Sequence, residues 1–254
     1  MATQHNVRLA VLIDADNAQS SIIRELLVEV SKYGVATVKR VYGDWTTPNL
    51  RGWKETLNQH ALQPIQQFSY TSGKNATDCA LIIDAMDLLH SGRVDGFCLV
   101  SSDSDFTRLA TRIREAGLVV YGFGEQKTPP PFVAACDKFV YTEILRAPTS
   151  PAPAAPVETA GSKQLESILR DAVTAAMRED GWAPLSGVGS LITKTNPDFD
   201  SRNYGYAKLS GLMRAQPFLE LKATSFNETT GSSTLCVRIQ DEKQNRNGTT
   251  PAVK

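Results

Sequence analysis

Four prolines within nine residues, Pro148, Pro151, Pro153 and Pro156, constrain this chain more than any other feature. Each proline fixes φ and removes an amide donor, so neither a helix nor a sheet can run through the stretch. The chain therefore reads as two domains, at 1–147 and 163–240, tethered by a Pro/Ala-rich linker at 148–162. A polar tail at 241–254 follows and is expected to be disordered. With 254 residues there is enough chain for two cores.

Charge excludes one way of holding a polyanion. Lysine plus arginine number 27 and aspartate plus glutamate 27, and the balance persists within each domain: fifteen against sixteen in 1–147, nine against eight in 163–240. Net charge attracts nothing, so any nucleic-acid contact depends on a local patch. The cysteines at 79, 98, 136 and 236 lack a C-x-x-C spacing and sit mostly among apolar neighbours, which predicts buried free thiols. The apolar run Leu9–Ile13 ends at Asp14, too short for a signal-peptide core or a membrane span. No membrane association and cytoplasmic residence are the expectations.

In the first domain, the short runs at 9–13, 37–42, 96–100 and 118–123 are rich in Val, Ile and Leu without alternation, as strands covered on both faces are. Helical patterns lie between them, at 20–33, 50–60, 76–91 and 105–116. This order predicts an α/β fold, a mostly parallel sheet sandwiched by helices. Gly34, Gly92 and Gly117 fall where helices should end. The second domain opens with a helix at 163–179. Shorter helical patterns follow around 182–192 and 206–215, then strands at 218–221 and 235–239. Three helices followed by a β-hairpin is a winged-helix order.

Two apolar strands end in the same way. Asp14 and Asp16 close the first, and Asp103 and Asp105 follow the strand at 96–100. In an open parallel sheet the strand C-termini converge on the ligand crevice, so separate segments can deliver four carboxylates to one place, and Asp78 can supply a fifth. Like charges in such a crevice raise one another's pKa, and a divalent cation relieves the cost. Hard oxygen donors with no local cysteine or histidine favour Mg²⁺ or Mn²⁺ over zinc. Such a centre can activate water and stabilise charge on a phosphate during in-line attack. Capping is the plainer alternative, and it accounts for one or two of these residues. Asn17 and Ser101 either orient a water or phosphate or simply form turns. Lys74, beside Asn75, is a candidate phosphate contact. Trp45 and Trp53 either stack on bases or anchor their loop. Asp84 and Asp87 are set aside, because six and nine residues of helix turn them about 240° and about 180° from Asp78.

The motifs at 12–18 (LIDADNA), 43–45 (GDW), 74–78 (KNATD) and 101–106 (SSDSDF) resemble, in this order, those of bacterial NYN domains of the PIN-like nuclease superfamily. The likeness covers about 7–145. It implies a PIN-like fold, dependence on a divalent metal and endonucleolytic attack on RNA. It also implies Asp14, Asp78, Asp103 and Asp105 as metal-binding carboxylates, with Asp16 and Asn17 beside them as partners in catalysis. The segment from Gly181 through Leu209 resembles the OST-HTH or LOTUS module, over about 163–240. That likeness implies an RNA-binding winged helix, a fold that some relatives use to bind protein. Within it Arg202, Lys208 and Arg214 offer charge, and Tyr204 and Tyr206 offer stacking surface unless they belong to the core. The expectation is a metal-dependent endoribonuclease acting on single-stranded or structured RNA, with a protein partner also open to the second module. The alternative is a non-catalytic RNA-binding or scaffold protein. Phosphoryl transfer on a free nucleotide is disfavoured, since the chain contains no P-loop.

Overall fold

A computed structural model describes residues 6–68, 76–146, 160–225 and 233–240. The chain forms two compact units, the first holding every element up to residue 146 and the second every element from residue 160. Of the linker expected at 148–162, residues 148–159 lie outside the described residues, as does the tail at 241–254, while residues 160–162 are already helical.

The first unit runs β1 (Arg8–Asp14), α1 (Ile23–Val30), β2 (Val35–Gly43), α2 (Trp53–Gln59), β3 (Gln63–Gln66), α3 (Ala76–Ser91), β4 (Gly96–Val100), α4 (Thr107–Glu115), β5 (Val119–Gly124), α5 (Pro130–Ala135) and β6 (Lys138–Tyr141). The six strands form one sheet in the order β3-β2-β1-β4-β5-β6, and every pairing is parallel. Alternate residues of the central strand feed two cores. Ala10 and Leu12 join Leu81, Phe97, Leu109 and Phe132 under α3, α4 and α5. Leu9, Val11 and Ile13 join Ile23, Leu26, Val30 and Trp53 under α1 and α2. The α/β sandwich expected from the alternation of strands and helices is therefore present, with the mostly parallel sheet that the PIN-like resemblance also implies. The order also reverses at β1, since the connection from β1 leads to β2 on one side while β4 lies on the other. That reversal opens a crevice at the strand C-termini.

Two strands escape the sequence pattern. β3 has only four residues, one of them Pro64, and β6 is equally short, so neither offers enough chain for a periodicity. The glycines divide as well. Gly92 and Gly117 hold φ of +64° and +84°, as C′ glycines do. Gly34 does not: it is needed because a β-carbon there would strike the Val7 carbonyl. The helix expected at 20–33 accordingly ends at Val30. All four cysteines are free, but only Cys98 and Cys136 are buried; Cys79 is exposed and Cys236 half-buried, which corrects the expectation of buried thiols at both.

The second unit contains α6 (Ala160–Ala176), β7 (Ala183–Pro184), α7 (Leu185–Thr195), α8 (Leu209–Arg214), β8 (Leu219–Ser225) and β9 (Ser233–Ile239). Helix α6 starts three residues before the expected position. The β8–β9 hairpin is antiparallel, and β7 adds a third strand to β9 that the sequence does not announce. Leu165, Leu169, Val173, Val188, Ile192, Leu212 and Val237 make its core. No helix among the described residues is long and apolar enough to cross a membrane.

Candidate active site

The crevice between β1 and β4 is lined by carboxylates because both strands end there. Asp14 is the last residue of β1, in register with Tyr42 of β2, and is completely buried. Three donors meet it. Asn17 Nδ2 and Ser101 Oγ donate to Oδ2 at 2.7 and 2.9 Å, and the Asp16 amide donates to Oδ1 at 3.0 Å. Burial still dominates and raises the Asp14 pKa, while these hydrogen bonds oppose the rise. Ser101 also joins the two acidic motifs. Its hydroxyl donates to Asp14 and accepts from the Asp103 amide at 3.1 Å. Asp103 in turn caps the turn that follows, accepting from the Asp105 amide at 3.0 Å. Capping and proximity to Asp14 thus coexist in the same residues.

Asp78 arrives from a third direction, on the first turn of α3. One carboxylate oxygen from each of Asp78, Asp103 and Asp105 lies within 4.8 Å of the other two. Asp78 is half-buried, and its pKa is raised to about 6, first by desolvation and then by the charges of Asp14, Asp103, Asp105 and Asp16. Among the described residues, the charges that act on it are all carboxylates. Three converging hard oxygens suit a divalent cation such as Mg²⁺ or Mn²⁺. Asp14 lies outside that group of three, in the buried layer beneath, where its charge still acts on Asp78. Asp16 is exposed at the rim and Asn17 is half-buried against Asp14.

The remaining candidates are scattered. Lys74 and Asn75 lie outside the described residues. Trp53 is 3% exposed within the core, and half-buried Trp45 donates from Nε1 to the Ile65 carbonyl at 3.0 Å, so both anchor their loop. Asp84 is not part of the converging group; Arg40 and Tyr42 of β2 both donate to it. In the second unit, Arg202 is clamped by Asp200, with Nε and Nη2 contacts at 2.9 and 2.7 Å. Tyr204 packs on Phe199 with ring centroids 5.7 Å apart, and Tyr206 is partly buried against the same core. Lys208 and Arg214 are exposed, before and at the end of α8.

Two supporting residues carry only a weak sequence signal. Buried Ser102 accepts from the Glu125 amide at 2.9 Å. At Gly124 a β-carbon would approach the Ser101 carbonyl to 2.7 Å, so the end of β5 can press against the turn that carries Ser101. A glycine closing an apolar run is the one available hint.

Comparison with known proteins follows the same division. Residues 8–145 match the NYN domain, and residues 160–229 match the OST-HTH/LOTUS domain. No curated protein matches the chain. Among solved structures it is similar to a protein of unknown function from Vibrio parahaemolyticus, with 20% identity over 56% of this chain and 96% of that one and a TM-score of 0.47. Similarity extends to an uncharacterized protein from Nitrosomonas europaea, with 29% identity over 38% and 94% of the two chains and a TM-score of 0.29. A Chromobacterium violaceum protein matches with 29% identity over 33% and 91% and a TM-score of 0.26.

Proposed function

Because the chain belongs to the NYN domain family and carries an OST-HTH/LOTUS domain after it, we propose that it is a divalent-metal-dependent endoribonuclease whose second domain binds RNA. NYN domains are of a nuclease type, and OST-HTH domains point to RNA as the partner. The observation that carries the reading is the convergence of Asp78, Asp103 and Asp105 on one point at the mouth of the β1–β4 crevice.

Each residue has a definable task. Asp78, Asp103 and Asp105 hold the cation, Mg²⁺ or Mn²⁺. When bound, the cation supplies Lewis-acid neutralisation of the phosphate charge. Asp14 fixes the layer beneath: through Ser101 it ties the end of β1 to the turn of Asp103, and Asn17 keeps its carboxylate oriented. Asp16, exposed at the rim, stands beside the path of the incoming strand. Exposed Lys208 and Arg214 of the second domain are better placed for phosphate contact than Arg202, whose guanidinium Asp200 already engages. The domain limits 1–147 and 163–240 read from the sequence suit this division of labour once the second is extended to Ala160, where α6 begins.

The direct test is cleavage of labelled RNA, structured and unstructured, by the purified full chain with Mg²⁺, Mn²⁺ or a chelator. Internal cuts that vanish with chelator are expected. Tight binding without turnover under any metal condition would instead make this a non-catalytic RNA-binding protein.

A further inference from the structure

An open cavity of about 370 Å³ adjoins the acidic crevice on the side of α2. Its floor is apolar and its rim is polar. Ala15, Leu50 and Trp53, each no more than 6% exposed, form the floor, while Ser20, Ser21 and Asn49 form the rim. No hydrogen bond among the described residues engages these three rim side chains. Asp16 closes one end, and its backbone amide is bonded to Asp14, so the cavity is continuous with the catalytic rim.

We infer that this cavity is a nucleobase subsite, which holds one base of the RNA strand beside the scissile phosphate. The inference rests on the nuclease reading for what the subsite serves, but the ligand class comes from the cavity itself. A base is a flat apolar disc with hydrogen-bonding edges, which an apolar floor and a rim of uncommitted amide and hydroxyl groups complement. An asparagine amide presents a donor and an acceptor side by side, the pattern that matches a base edge. The volume lies at the lower end of the range for small-molecule pockets, enough for a base and its sugar. A base seated here would orient the strand across the carboxylates, which concerns selection of the cut site rather than the chemical step.

Gly52 makes the inference easy to test. It lies on the wall of the cavity with φ −65° and ψ −15°, a conformation open to any residue. The nearest atom to a β-carbon there is Ser20 Oγ at 3.7 Å, so a side chain would enter the cavity without backbone strain. Gly52→Leu should fill the subsite and leave the acidic cluster intact.

The experiment uses the full chain in Ca²⁺ with short RNAs carrying 4-thiouridine, alongside abasic counterparts. Irradiation should attach the wild-type protein to RNA within 18–21 or 49–53, and Gly52→Leu should remove that attachment. Gly52→Leu should also weaken binding about ten-fold or more, roughly the effect of losing one stacked base, and abasic RNA should bind both proteins alike. Attachment elsewhere, with equal affinity for both proteins, would overturn the subsite. If Gly52→Leu fails to fold, Asn49→Ala decides by the same readouts, since Asn49 is exposed. Failure of the wild type to cut RNA in Mg²⁺ or Mn²⁺, with attachment at 18–21 or 49–53 intact, would end the nuclease reading and leave the subsite standing.

Discussion

Two groups of aspartates in the first unit have different surroundings. Asp95 precedes β4 at the N-terminal edge of the sheet, where the Arg8 amide and guanidinium reach it at 2.8 to 3.0 Å. Asp84, on the inner side of α3, receives Arg40 and Tyr42. Asp78, only six residues earlier on the same helix, is surrounded by the charges of other carboxylates. Residue type and helix are the same; the partners brought by the fold differ. A carboxylate that meets a guanidinium is a fastener, and one that meets only its own kind is the raw material of a cation site.

Substitutions should separate the two groups, beginning with the largest effect. Asp103→Asn removes one of three converging charges and should lower RNA cleavage at least about 100-fold in saturating Mn²⁺, as loss of a preorganised electrostatic group does. Initial rates on a labelled RNA measure this, and an unchanged rate would dissolve the distinction. Asp84→Ala should do the opposite, sparing metal dependence but costing about 2 kcal/mol, because Arg40 and Tyr42 lose their shared acceptor. Thermal melting should show a fall of roughly 4–8 °C. A cost near zero would mean that this pair fastens nothing.

Asp78→Asn should raise stability slightly in chelator. The Asp78 pKa is raised to about 6, above that of an unfolded carboxylate, so its favourable contribution is complete below about pH 4 and lost as pH rises through about 6. Allowing for solvent screening, the neutral variant should gain about 1 kcal/mol at pH 7 and nothing near pH 4. Mn²⁺ should then stabilise the wild type more than the variant. Equal response to Mn²⁺ would argue against Asp78 as a ligand. The smallest effect belongs to Asp95→Asn, whose ion pair is about one-third exposed on each side. Denaturant midpoints should place its cost below about 1 kcal/mol. A larger loss would show that the Asp95 contact with the Arg8 amide organises the start of β1.

The sequence by itself determined whatever depends on neighbours along the chain. The apolar runs of β1 and β4 mark buried strands; the pattern at 76–91 matches α3 end to end; and Gly92 and Gly117 stop their helices. The acidic motifs were legible because each follows its strand directly. Helical geometry also predicted that Asp84 points away from Asp78. Tertiary structure decided the rest. It made strands of β3 and β6, whose four residues each acquire strand character from the neighbour they pair with. The partners of Asp84 come from β2, some forty residues away, and the second core takes up the tyrosines. Only folding brings Ser20, Asn49 and Gly52 around one cavity. The physical reason is common to all of these: periodicity and caps act over a few residues, whereas ion pairing, desolvation and cavities depend on which distant segments the sheet order places side by side.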